Sequence, residues 1–555
     1  MHRRHFIRSS GLSIAGLLTA DFITAGDRRD YSMQMPGKVE ILSGDSYISL
    51  QTSDQHKWSY KEVRIDLKKA ADKISIEIQS PVAALKEVRL SWKFGSENNQ
   101  SVLGDHWERT YGDVHWQKIN ETKKMPWYCV VKDDRNTTCF GVKTGCSAIC
   151  YWQLSATTLQ LILDTRTGGN AVQLQNRTLH AAEIITAEKE GNENVFATTR
   201  RFCSLMCDNP RLTEKPVYGI NDWYFAYGNN SAQLILETTS LMADLAVNSA
   251  NPPFSVIDAG WAVKSPALPG DCCWGDDFSV SNNKFGDMKK LADGIKKLGM
   301  RPGLWTRPLC AKHDDKKNLL MPVIPGRDDP KTPFLDPTIG ENIERIKNLW
   351  NSYRQWGFEM VKHDFTTFDI FGRWGFQMQD GLTTPGWQFN DNTRTNAEII
   401  LNLYNNIREA AGMIYLIGCN TLSHLSAGIF ELNRVGDDTS GKEWERTRKM
   451  GVNTLGFRMV QHETFYEADG DCVGLTNEVP WNRNKQWMEL LAKSSAPLFI
   501  SARPDAVGEA QKKYIKQSFE VASKPQPVAE PLDWLTNELP SKWRLDGQVV
   551  EFDWS

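Results

Sequence analysis

Residues 340–365 read GENIERIKNLWNSYRQWGFEMVKHDF, an amphipathic stretch (Gly340–Trp356) followed by a strand-like run (Phe358–Phe365). Apolar residues at helical spacing and then a short apolar run predict a helix followed by a strand. The same alternation begins at Pro216, and the other strand-like runs are Tyr218–Ala226, Phe254–Gly260, Arg301–Thr306, Met413–Cys419, Ile429–Val435, Met459–Phe465 and Pro497–Ala502. The other helical stretches are Ala232–Ser249, Phe285–Leu298, Thr395–Ala411, Lys442–Leu455 and Lys485–Ser494.

Eight such strands predict an α/β protein with a (β/α)8 barrel, or TIM barrel, over residues 216–510. An open doubly wound sheet is the alternative, but no glycine-rich phosphate loop follows the first strand. Residues 27–215 alternate apolar and polar in short runs, as in Ile74–Ile78 and Leu159–Leu163, which predicts an antiparallel β-sandwich. Residues 511–555 form a short C-terminal extension with a hairpin at Trp543–Phe552.

The bulk properties exclude some classes of partner. The chain has 555 residues and a formal net charge of -3, so it is long enough for two domains and offers no electrostatic reason for a nucleic-acid partner. No segment beyond the N-terminus has the ~18 consecutive apolar residues of a membrane span. We therefore expect no nucleic acid and no membrane span.

The N-terminus predicts a signal peptide over residues 1–26. His2–Arg8 is basic and contains paired arginines, Gly11–Ala20 is a short apolar stretch, and Thr24–Gly26 offers small residues for cleavage. This layout, with its twin-arginine character, is typical of exported proteins. We therefore expect a periplasmic or extracellular location.

The cysteines do not predict a metal site. The chain has 11 of them, so at least one has no disulfide partner within the chain. The close pairs Cys146/Cys150 and Cys203/Cys207 are compatible with bridged or free thiols, and their spacing without nearby His is a poor zinc signature. We expect no cofactor and no structural metal.

A barrel carries its active site at the carboxyl ends of its strands, where this chain places several acidic residues. Asp364 ends the fourth strand and Asp438 follows the sixth, so the two carboxylates can face one another across a sugar. Glycoside hydrolysis needs two such groups, one to attack or activate water and one to protonate the leaving oxygen. Lys362 points to the same side of the strand as Asp364 and would help to keep it ionised.

The sequence leaves open which of two adjacent carboxylates enters the site and whether the site holds a catalytic metal. Adjacent strand residues face opposite ways, so only one of Asp437 and Asp438 should enter the site, and the four-residue step from Arg434 favours Asp438. A catalytic metal is the other open point: Asp258, Asp469 and Asp471 are possible ligands, with His363 and His462 as the nearby imidazoles.

These residues resemble the alpha-galactosidase clan of retaining glycosidases, which includes alpha-N-acetylgalactosaminidases and beta-L-arabinopyranosidases. The resemblance spans about Asp222 to Ser501, and its order and spacing are specific although each motif alone is weak. The segments that carry it are Asn221-Asp222-Trp223-Tyr224, Val256-Ile257-Asp258-Ala259-Gly260-Trp261, Gly299-Met300-Arg301-Pro302-Gly303-Leu304-Trp305, Leu335-Asp336-Pro337-Thr338, Val361-Lys362-His363-Asp364-Phe365, Arg434 with Asp438 and Trp444, and Ser495-Ala496-Pro497-Leu498-Phe499-Ile500-Ser501. A β-sandwich before the barrel fits the branch of the clan that has an N-terminal supersandwich.

The resemblance implies a carbohydrate substrate, with Asp364 as nucleophile and Asp438 as acid/base. It implies that Asp258, Lys362 and Arg434 bind sugar hydroxyls. We add three tryptophans at the strand ends, Trp223, Trp261 and Trp305, because flat indole faces stack on sugar rings. We also add Asn420, because in the clan its position usually helps to read sugar hydroxyls.

Two departures from the clan bear on the substrate. Ala259 stands where the clan often has a second Asp, and Asn420 stands where some members have Glu. Losing two acceptor carboxylates should change which hydroxyls are recognised. Three functions remain: an alpha-galactosidase-like hydrolase, a hydrolase of the same mechanism acting on another glycoside such as a beta-L-arabinopyranoside, and a non-catalytic sugar-binding barrel. Retention of both Asp364 and Asp438 disfavours the third.

We predict weak or altered activity on simple alpha-galactosides, because Ala259 and Asn420 stand where the clan has two acceptor carboxylates. The measurement is the turnover of nitrophenyl alpha-galactoside within a panel of chromogenic glycosides. A kcat/KM of about 10⁴ M⁻¹s⁻¹ or better on that substrate would contradict the prediction.

Overall fold

The structure is a computed structural model, and it describes residues 34–96, 99–265, 275–329 and 332–555. The predicted signal peptide lies outside the described residues. A search of the described helices for one long and apolar enough to cross a membrane finds none.

The N-terminal part forms two antiparallel sheets. The strands are β1 (Lys38–Ser43), β2 (Ser46–Ser49), β3 (Gln51–Thr52), β4 (Lys57–Tyr60), β5 (Val63–Lys69), β6 (Ile74–Gln79), β7 (Glu87–Lys93), β8 (Ser101–Gly104), β9 (Gln117–Lys118), β10 (Met125–Pro126), β11 (Tyr128–Lys132), β12 (Thr137–Val142), β13 (Ile149–Leu154), β14 (Thr158–Asp164) and β15 (Thr178–Glu188). One sheet has the order β10-β13-β14-β7-β1-β2 and the other β3-β4-β5-β6-β15-β12-β11-β8-β9.

The period-two pattern explains these sheets. In β5 the side chains of Val63, Ile65 and Leu67 are buried while Arg64 between them is exposed. Alternate side chains of a strand point to opposite faces, so one face of the sheet is apolar and packs into the core. The prediction of an N-terminal antiparallel sheet domain is confirmed. Helix α1 (Val195–Met206) follows it and packs on β12 and β15.

The second part is a barrel-like domain around a nine-stranded sheet. Its strands are β16 (Tyr218–Asn221), β17 (Phe254–Ile257), β20 (Arg301–Thr306), β21 (Met360–His363), β22 (Tyr415–Gly418), β23 (Leu432–Arg434), β24 (Glu467–Asp469), β25 (Cys472–Leu475) and β26 (Leu498–Ala502), while β18 (Ala262–Val263) and β19 (Asp277–Ser281) form a separate pair. The order is β24-β23-β22-β21-β20-β17-β16-β26-β25, and every ladder is parallel.

The helices around this sheet differ in burial: the longer ones bury one mostly apolar face, and three short ones are buried throughout. They are α2 (Trp223–Ala226), α3 (Ala232–Leu245), α4 (Met288–Lys297), α5 (Gly340–Trp356), α6 (Thr366–Phe371), α7 (Asn396–Ala411), α8 (Ser423–Ser426), α9 (Trp444–Thr447), α10 (Thr454–Arg458), α11 (Trp481–Lys493) and α12 (Glu509–Ala522). Short 3₁₀ turns lie at Lys317–Leu319, Gly375–Gln377 and Pro504–Ala506, and a π-helical turn joins α9 to α10 at Arg448–Asn453. Helix α5 has the bounds that the sequence predicts.

The seventh predicted strand, Met459–Phe465, is wrong. Helix α10 runs to Arg458, a turn follows, and the strand that pairs with β23 is β24 at Glu467–Asp469. A short apolar run such as Met459-Val460 cannot be assigned to a strand or a buried helix end from periodicity alone. The first predicted strand is also shorter than expected, because α2 begins at Trp223.

The two edge strands of the parallel sheet, β24 and β25, are almost consecutive in the chain. Only Gly470 and Asp471 separate them, and Asp471 adopts a left-handed conformation with φ 71°. β24 pairs with β23 on one side, and β25 pairs with β26 on the other.

The C-terminal segment packs against the barrel-like domain. Helix α12 crosses the predicted boundary at residue 510 and contacts α3 and α11. The chain ends in β27 (Glu530–Pro531), β28 (Lys542–Leu545) and β29 (Gln548–Glu551), and the predicted hairpin is present as β28 and β29. The described cysteines, which exclude positions 272 and 273, are buried.

Candidate active site

The carboxyl ends of the parallel strands open into a cavity of about 310 Å³. This volume lies at the low end of the range for small-molecule sites, about 300–1,000 Å³, and suits one sugar ring better than a long chain. Its lining combines four carboxylates, three cations and an aromatic wall. The lining residues are Arg109, Tyr111, Trp223, Asp258, Ala259, Trp305, Lys362, Asp364, Phe365, Trp374, Phe376, Asp437, Asp438 and Arg446.

Asp364 is the first residue after β21 and lies between two hydrogen-bond donors. Its Oδ2 accepts from Trp305 Nε1 at 3.0 Å, and its Oδ1 accepts from the Phe365 amide at 2.7 Å. Phe365 has a left-handed backbone with φ 63°, and it caps the start of α6. A non-glycine residue in this region stores strain, which the surrounding structure must hold. The turn therefore fixes the Asp364 carboxylate at the cavity wall.

Among the described residues no cation lies within salt-bridge distance of Asp364. The nearest cation on its strand, Lys362, is instead paired with Asp258 at 2.8 Å. Asn221 donates a second hydrogen bond to the same Asp258 oxygen at 2.7 Å. Burial lowers the pKa of Lys362, but Asp258 reverses this and raises it well above its usual value. Lys362 therefore stays charged beside Asp364 without being bound to it.

Asp437 and Asp438 both line the cavity, so the expectation that only one of them enters is wrong. Strand β23 ends at Arg434, and the segment that follows no longer alternates between two faces. Their partners differ. Asp437 is bound by Arg109 and Arg446, each at 2.8 Å, whereas Asp438 is 3.4 Å from Arg434 alone and its side chain is 34% exposed. Asp438 is the more available of the two.

Positive charges set the state of Asp438. Burial acts to raise its pKa, but Arg434, Arg109, Lys362 and Arg446 together outweigh this effect and lower the pKa to about 2. The carboxyl is therefore ionised at neutral pH when the site holds no ligand.

Asp471 connects Arg434 to the segment that carries Asp438. Its Oδ2 lies 2.9 Å from Arg434 Nη2, and it accepts hydrogen bonds from the Thr439 amide at 2.8 Å and the Thr439 hydroxyl at 2.9 Å. The Tyr224 hydroxyl donates to the same carboxylate. Asp471 is buried, as is Arg434, and a buried ion pair needs such additional hydrogen bonds. It therefore fixes the residue next to Asp438 and shares the charge of Arg434.

A loop of the N-terminal domain completes the cavity. Its Asp105 forms a buried ion pair with Arg458 at 2.8 Å. Further along, the Thr110 amide donates to Val435 O, and the Asp437 amide donates to Thr110 O, both at 2.9 Å. This short parallel bridge places Arg109 against Asp437 and holds the backbone that leads to Asp438.

Glu108 binds the same loop to the segment after Asp364. Its Oε1 accepts from the Gly375 amide at 2.7 Å and from the Tyr111 hydroxyl, and its Oε2 accepts from the Asn420 side chain. Burial raises the pKa of Glu108, and Arg109 acts in the opposite direction. One buried carboxyl therefore links the N-terminal loop, the 3₁₀ turn after α6 and the end of β22.

The other predicted site residues divide into two groups. Trp223 and Trp305 line the cavity with Asp258 and Lys362. The remaining three lie behind the wall. Trp261 is buried and donates to Trp305 O at 2.9 Å, Asn420 accepts from the Phe368 amide at 3.0 Å, and Arg434 supports Asp438. Their part in sugar binding stays a prediction, and in this geometry it is indirect.

The candidate metal ligands have partners within the protein. Asp258 pairs with Lys362, Asp471 pairs with Arg434, and the Asp469 carboxylate accepts from the Asp471 amide at 2.9 Å. His363 contacts Thr366, and His462 accepts from the Ala468 amide at 3.0 Å. In the part of the chain that the structure describes, no group of three or more His, Cys, Asp or Glu side chains is arranged to hold a metal ion.

Sequence reasoning missed the residues that reach the cavity from outside the strand ends. Arg109 and Tyr111 come from the N-terminal domain, Trp374 and Phe376 from the turn after α6, and Arg446 from α9. Arg109 and Tyr111 belong to a run that is rich in charged and aromatic residues, Asp105-His106-Trp107-Glu108-Arg109-Thr110-Tyr111. That composition is the feature of the sequence that could have drawn attention to this loop. Nothing in that run specifies which strand end it meets.

The chain is similar in fold to solved structures of alpha-galactosidases. An alpha-galactosidase from Thermus thermophilus in complex with p-nitrophenyl alpha-D-galactopyranoside has a TM-score of 0.57 and 16% identity, and the match covers 93% of this chain and 98% of that chain. The GH36 alpha-galactosidase AgaB from Geobacillus stearothermophilus has a TM-score of 0.59 and 12% identity, with 90% and 76% covered. The galactosidase domain of the alpha-galactosidase-sucrose kinase AgaSK has a TM-score of 0.56 and 14% identity, with 85% and 67% covered.

These similarities confirm the predicted resemblance at the level of the fold. No protein-family model matches the chain, and no curated protein is significantly similar to it in sequence. At identities of 11–17% the shared architecture is the finding, and the chemistry depends on this chain's own residues.

Asp471→Asn should lower the pKa of Asp438 further, because Arg434 then loses its buried counter-charge and acts on Asp438 alone. We expect the descending limb of the kcat–pH profile, which reports the enzyme–substrate complex, to move to lower pH and kcat at neutral pH to fall about tenfold, which corresponds to one pKa unit. The measurement is that profile on a hydrolysed glycoside. Asp505→Asn, which changes an exposed carboxylate paired with Arg503, is the matched control.

An unchanged profile in a folded Asp471→Asn sample would contradict this assignment. Thermal unfolding of both variants separates the two effects, since a purely structural role of Asp471 would lower Tm and total activity without moving the limb.

Proposed function

We propose that this protein is a glycoside hydrolase that releases a terminal sugar with retention of configuration, in the manner of an alpha-galactosidase. One observation carries the proposal: Asp364 and Asp438 line one cavity of single-ring size, and the other two carboxylates of that cavity form ion pairs with cations. Asp258 is bound by Lys362, and Asp437 is bound by two arginines. Two carboxylates thus remain for the two roles that glycoside hydrolysis requires.

In the first step a carboxylate oxygen of Asp364 attacks the anomeric carbon. The bond from that carbon to the leaving oxygen breaks as an ester to Asp364 forms, and Asp438 gives its proton to the leaving oxygen. In the second step water attacks the same carbon, its proton passes to Asp438, and the Asp364 carboxylate is regenerated. Two inversions at one carbon give net retention.

The charge state of Asp438 places a demand on this scheme. The acid step needs a protonated carboxyl, but in the unliganded site the surrounding cations keep the pKa at about 2. A sugar ring that covers the exposed third of this side chain removes water from it, and desolvation raises a carboxyl pKa. We therefore propose that substrate binding, rather than the empty site, prepares Asp438 as an acid.

Ala259 is the residue of the cavity that bears on the identity of the sugar. Its methyl group lies in the cavity wall next to Asp258, where the alpha-galactosidase clan often has a second carboxylate. A sugar that lacks the corresponding hydroxyl would lose nothing there. This favours a second candidate, a pentopyranoside such as beta-L-arabinopyranoside, cleaved by the same two residues. Asn420 lies behind the wall, so its effect on the sugar passes through Glu108.

The neighbours' ligands agree with a carbohydrate substrate. Related structures hold stachyose in the Thermus thermophilus enzyme and raffinose in a variant of AgaA from Geobacillus stearothermophilus.

We further propose that the parallel sheet forms a closed (β/α)8 barrel, that the antiparallel sheets form a β-sandwich, and that the basic N-terminus directs export to the periplasm or outside the cell. The closed barrel is supported by the strand order, since β24 and β25 lie at the two edges of the parallel sheet but are almost consecutive in the chain. The β-sandwich is supported by the two antiparallel sheets.

Asp364→Asn should remove the attacking carboxylate while keeping the shape and the hydrogen bond from Trp305. We expect kcat to fall by several orders of magnitude while folding and sugar binding persist. The measurements are kcat on the best glycoside of a panel, Tm, and the Kd of the released sugar. Substantial turnover in a verified mutant sample would move the nucleophile to another carboxylate, with Asp258 and Asp336 the next candidates.

Asp438→Ala should cost much more on a natural glycoside than in the glycosylation step of a dinitrophenyl glycoside, because a very good leaving group needs no proton. Azide, which needs no deprotonation, should accelerate the second step and yield a glycosyl azide of retained configuration. Asp437→Ala is the matched control, and we expect it to lose affinity without this dependence on the leaving group. If Asp437→Ala shows this pattern and Asp438→Ala does not, the acid/base is Asp437.

A further inference from the structure

The residue that follows strand β20 is an arginine that the proposed mechanism does not use. Arg307 comes directly after Thr306, yet its side chain is fully buried and does not line the cavity. We infer that Arg307 is a positioning residue for the nucleophile: it holds the left-handed turn at Phe365, and through that turn it fixes the direction of the Asp364 carboxylate. Because it takes Asp364 as the nucleophile, this role of Arg307 rests on the proposed function.

The Arg307 guanidinium lies over the ring of the residue that carries the backbone strain. Its central carbon is 4.2 Å from the centre of the Phe365 ring. Phe365 has φ 63°, and its amide donates to Asp364 Oδ1 at 2.7 Å. A non-glycine residue stays in the left-handed region only when its surroundings hold it, and a cation over an aromatic face away from water is such a contact. A shift of Phe365 would therefore move the amide that orients Asp364.

Asp369 holds both the guanidinium and the turn beneath it. Its Oδ1 accepts from Arg307 Nη2 at 2.6 Å, and Arg307 Nε lies 3.2 and 3.1 Å from the two carboxylate oxygens. Its backbone amide donates to Phe365 O at 2.8 Å. Both charged side chains are fully buried, so removing either would leave the other as an uncompensated ion. One residue of helix α6 thus connects Arg307 to the backbone of Phe365.

A second arginine encloses the same turn from the side of α6. Arg327 Nη1 donates to Asp369 O at 3.0 Å, and the Arg327 guanidinium lies 4.9 Å from the centre of the Phe368 ring. Both guanidiniums also lie over the Phe334 ring, at 5.0 Å for Arg307 and 3.9 Å for Arg327. Flat groups stacked in this way leave the first turn of α6 little room to rotate.

Three consecutive residues at the end of β20 therefore act on the nucleophile. Trp305 Nε1 donates to Asp364 Oδ2 at 3.0 Å, and Thr306 O accepts from the Asp364 amide at 3.1 Å. Arg307 adds the contact that passes through Phe365. A reacting group that is misplaced by about 1 Å can lose about a hundredfold in rate, so such support has a measurable effect on catalysis.

The test measures how fast the nucleophile reacts in protein that is shown to be folded. A fluorinated glycosyl fluoride of the sugar that the parent hydrolyses best labels the nucleophile once, and mass spectrometry gives both the labelled fraction and the rate constant of labelling. Arg307→Lys keeps a positive charge for Asp369 but lacks the planar face over Phe365. We expect complete labelling, a rate constant about tenfold below that of the parent, and a Kd for the released sugar within about twofold.

A double-mutant cycle shows whether Arg307 acts through Phe365. Phe365→Leu removes the ring but keeps an apolar side chain in its place. In that background Arg307→Lys should change the labelling rate by less than about twofold, whereas independent effects would multiply.

Arg301→Lys is the matched control, because Arg301 makes the same two kinds of contact at the opposite end of β20. Its Nε lies 2.7 Å from a Glu359 oxygen, and its guanidinium lies 4.2 Å from the centre of the Phe254 ring. The amino ends of barrel strands contribute to stability rather than to catalysis, so we expect a labelling rate within about twofold of the parent.

An unchanged labelling rate in Arg307→Lys, or losses in Arg307→Lys and Phe365→Leu that multiply, would overturn this role of Arg307 and leave the proposed function intact. If Arg307→Lys does not fold, Asp369→Asn takes its place, because it keeps the shape of the side chain but weakens its hold on the guanidinium. The same slower labelling is then expected, and a parent rate would overturn the role. A parent protein that is labelled on another carboxylate, or not at all, overturns the proposed function as well.

Discussion

Buried charges must be paired, and at the carboxyl ends of these parallel strands this constraint decides which carboxylates a ligand can reach. Lys362 neutralises Asp258, Arg434 neutralises Asp471, and Arg109 with Arg446 neutralises Asp437. Leaving a buried member of the first two pairs without its partner would cost several kcal/mol, so these pairs also fix the strand ends that carry them. Asp364 has no described cation within salt-bridge distance and Asp438 has only Arg434 at 3.4 Å, and the chemistry of the site follows from that difference.

The same pairing makes the N-terminal domain part of the site. Three buried charged residues of the N-terminal loop have their partners in the barrel-like domain. Asp105 pairs with Arg458, and Arg109 pairs with Asp437. Glu108 accepts hydrogen bonds from Asn420 and Gly375. The loop therefore cannot leave without exposing unpaired buried groups. Its backbone bridge at Thr110 continues the sheet edge beside the segment of Asp438. A barrel alone would have an open wall at this point.

Strand-end logic predicted the central residues because it depends only on chain order. Parallel strands present their carboxyl ends at one face, so Asp258, Lys362, Asp364 and Asp438 had to converge once the alternating pattern was recognised. Trp261 shows where this logic fails: β17 ends at Ile257, and a turn with Gly260 at φ 113° carries the indole behind Trp305.

Contacts between distant segments were beyond that reasoning. Arg109 and Tyr111 lie more than two hundred residues before Asp364 in the chain, and no periodicity links them to it. The seventh strand was misplaced for a local reason, since its apolar run begins at the C-cap of helix α10 and continues as a buried turn. The left-handed residue Asp471, which both interrupts that strand and binds Arg434, has no signature in the sequence beyond the neighbouring Gly470.

The central claim is that Asp364 forms a covalent bond to the sugar, and mass spectrometry tests it most directly. The protein would be treated with a fluorinated glycosyl fluoride, which forms the ester quickly and hydrolyses it slowly, and then digested at acid pH. We expect one glycosylated peptide, the one that contains Asp364, and no adduct in the Asp364→Asn variant. An adduct on another carboxylate, or turnover of natural substrate with inverted configuration and no adduct, would contradict it.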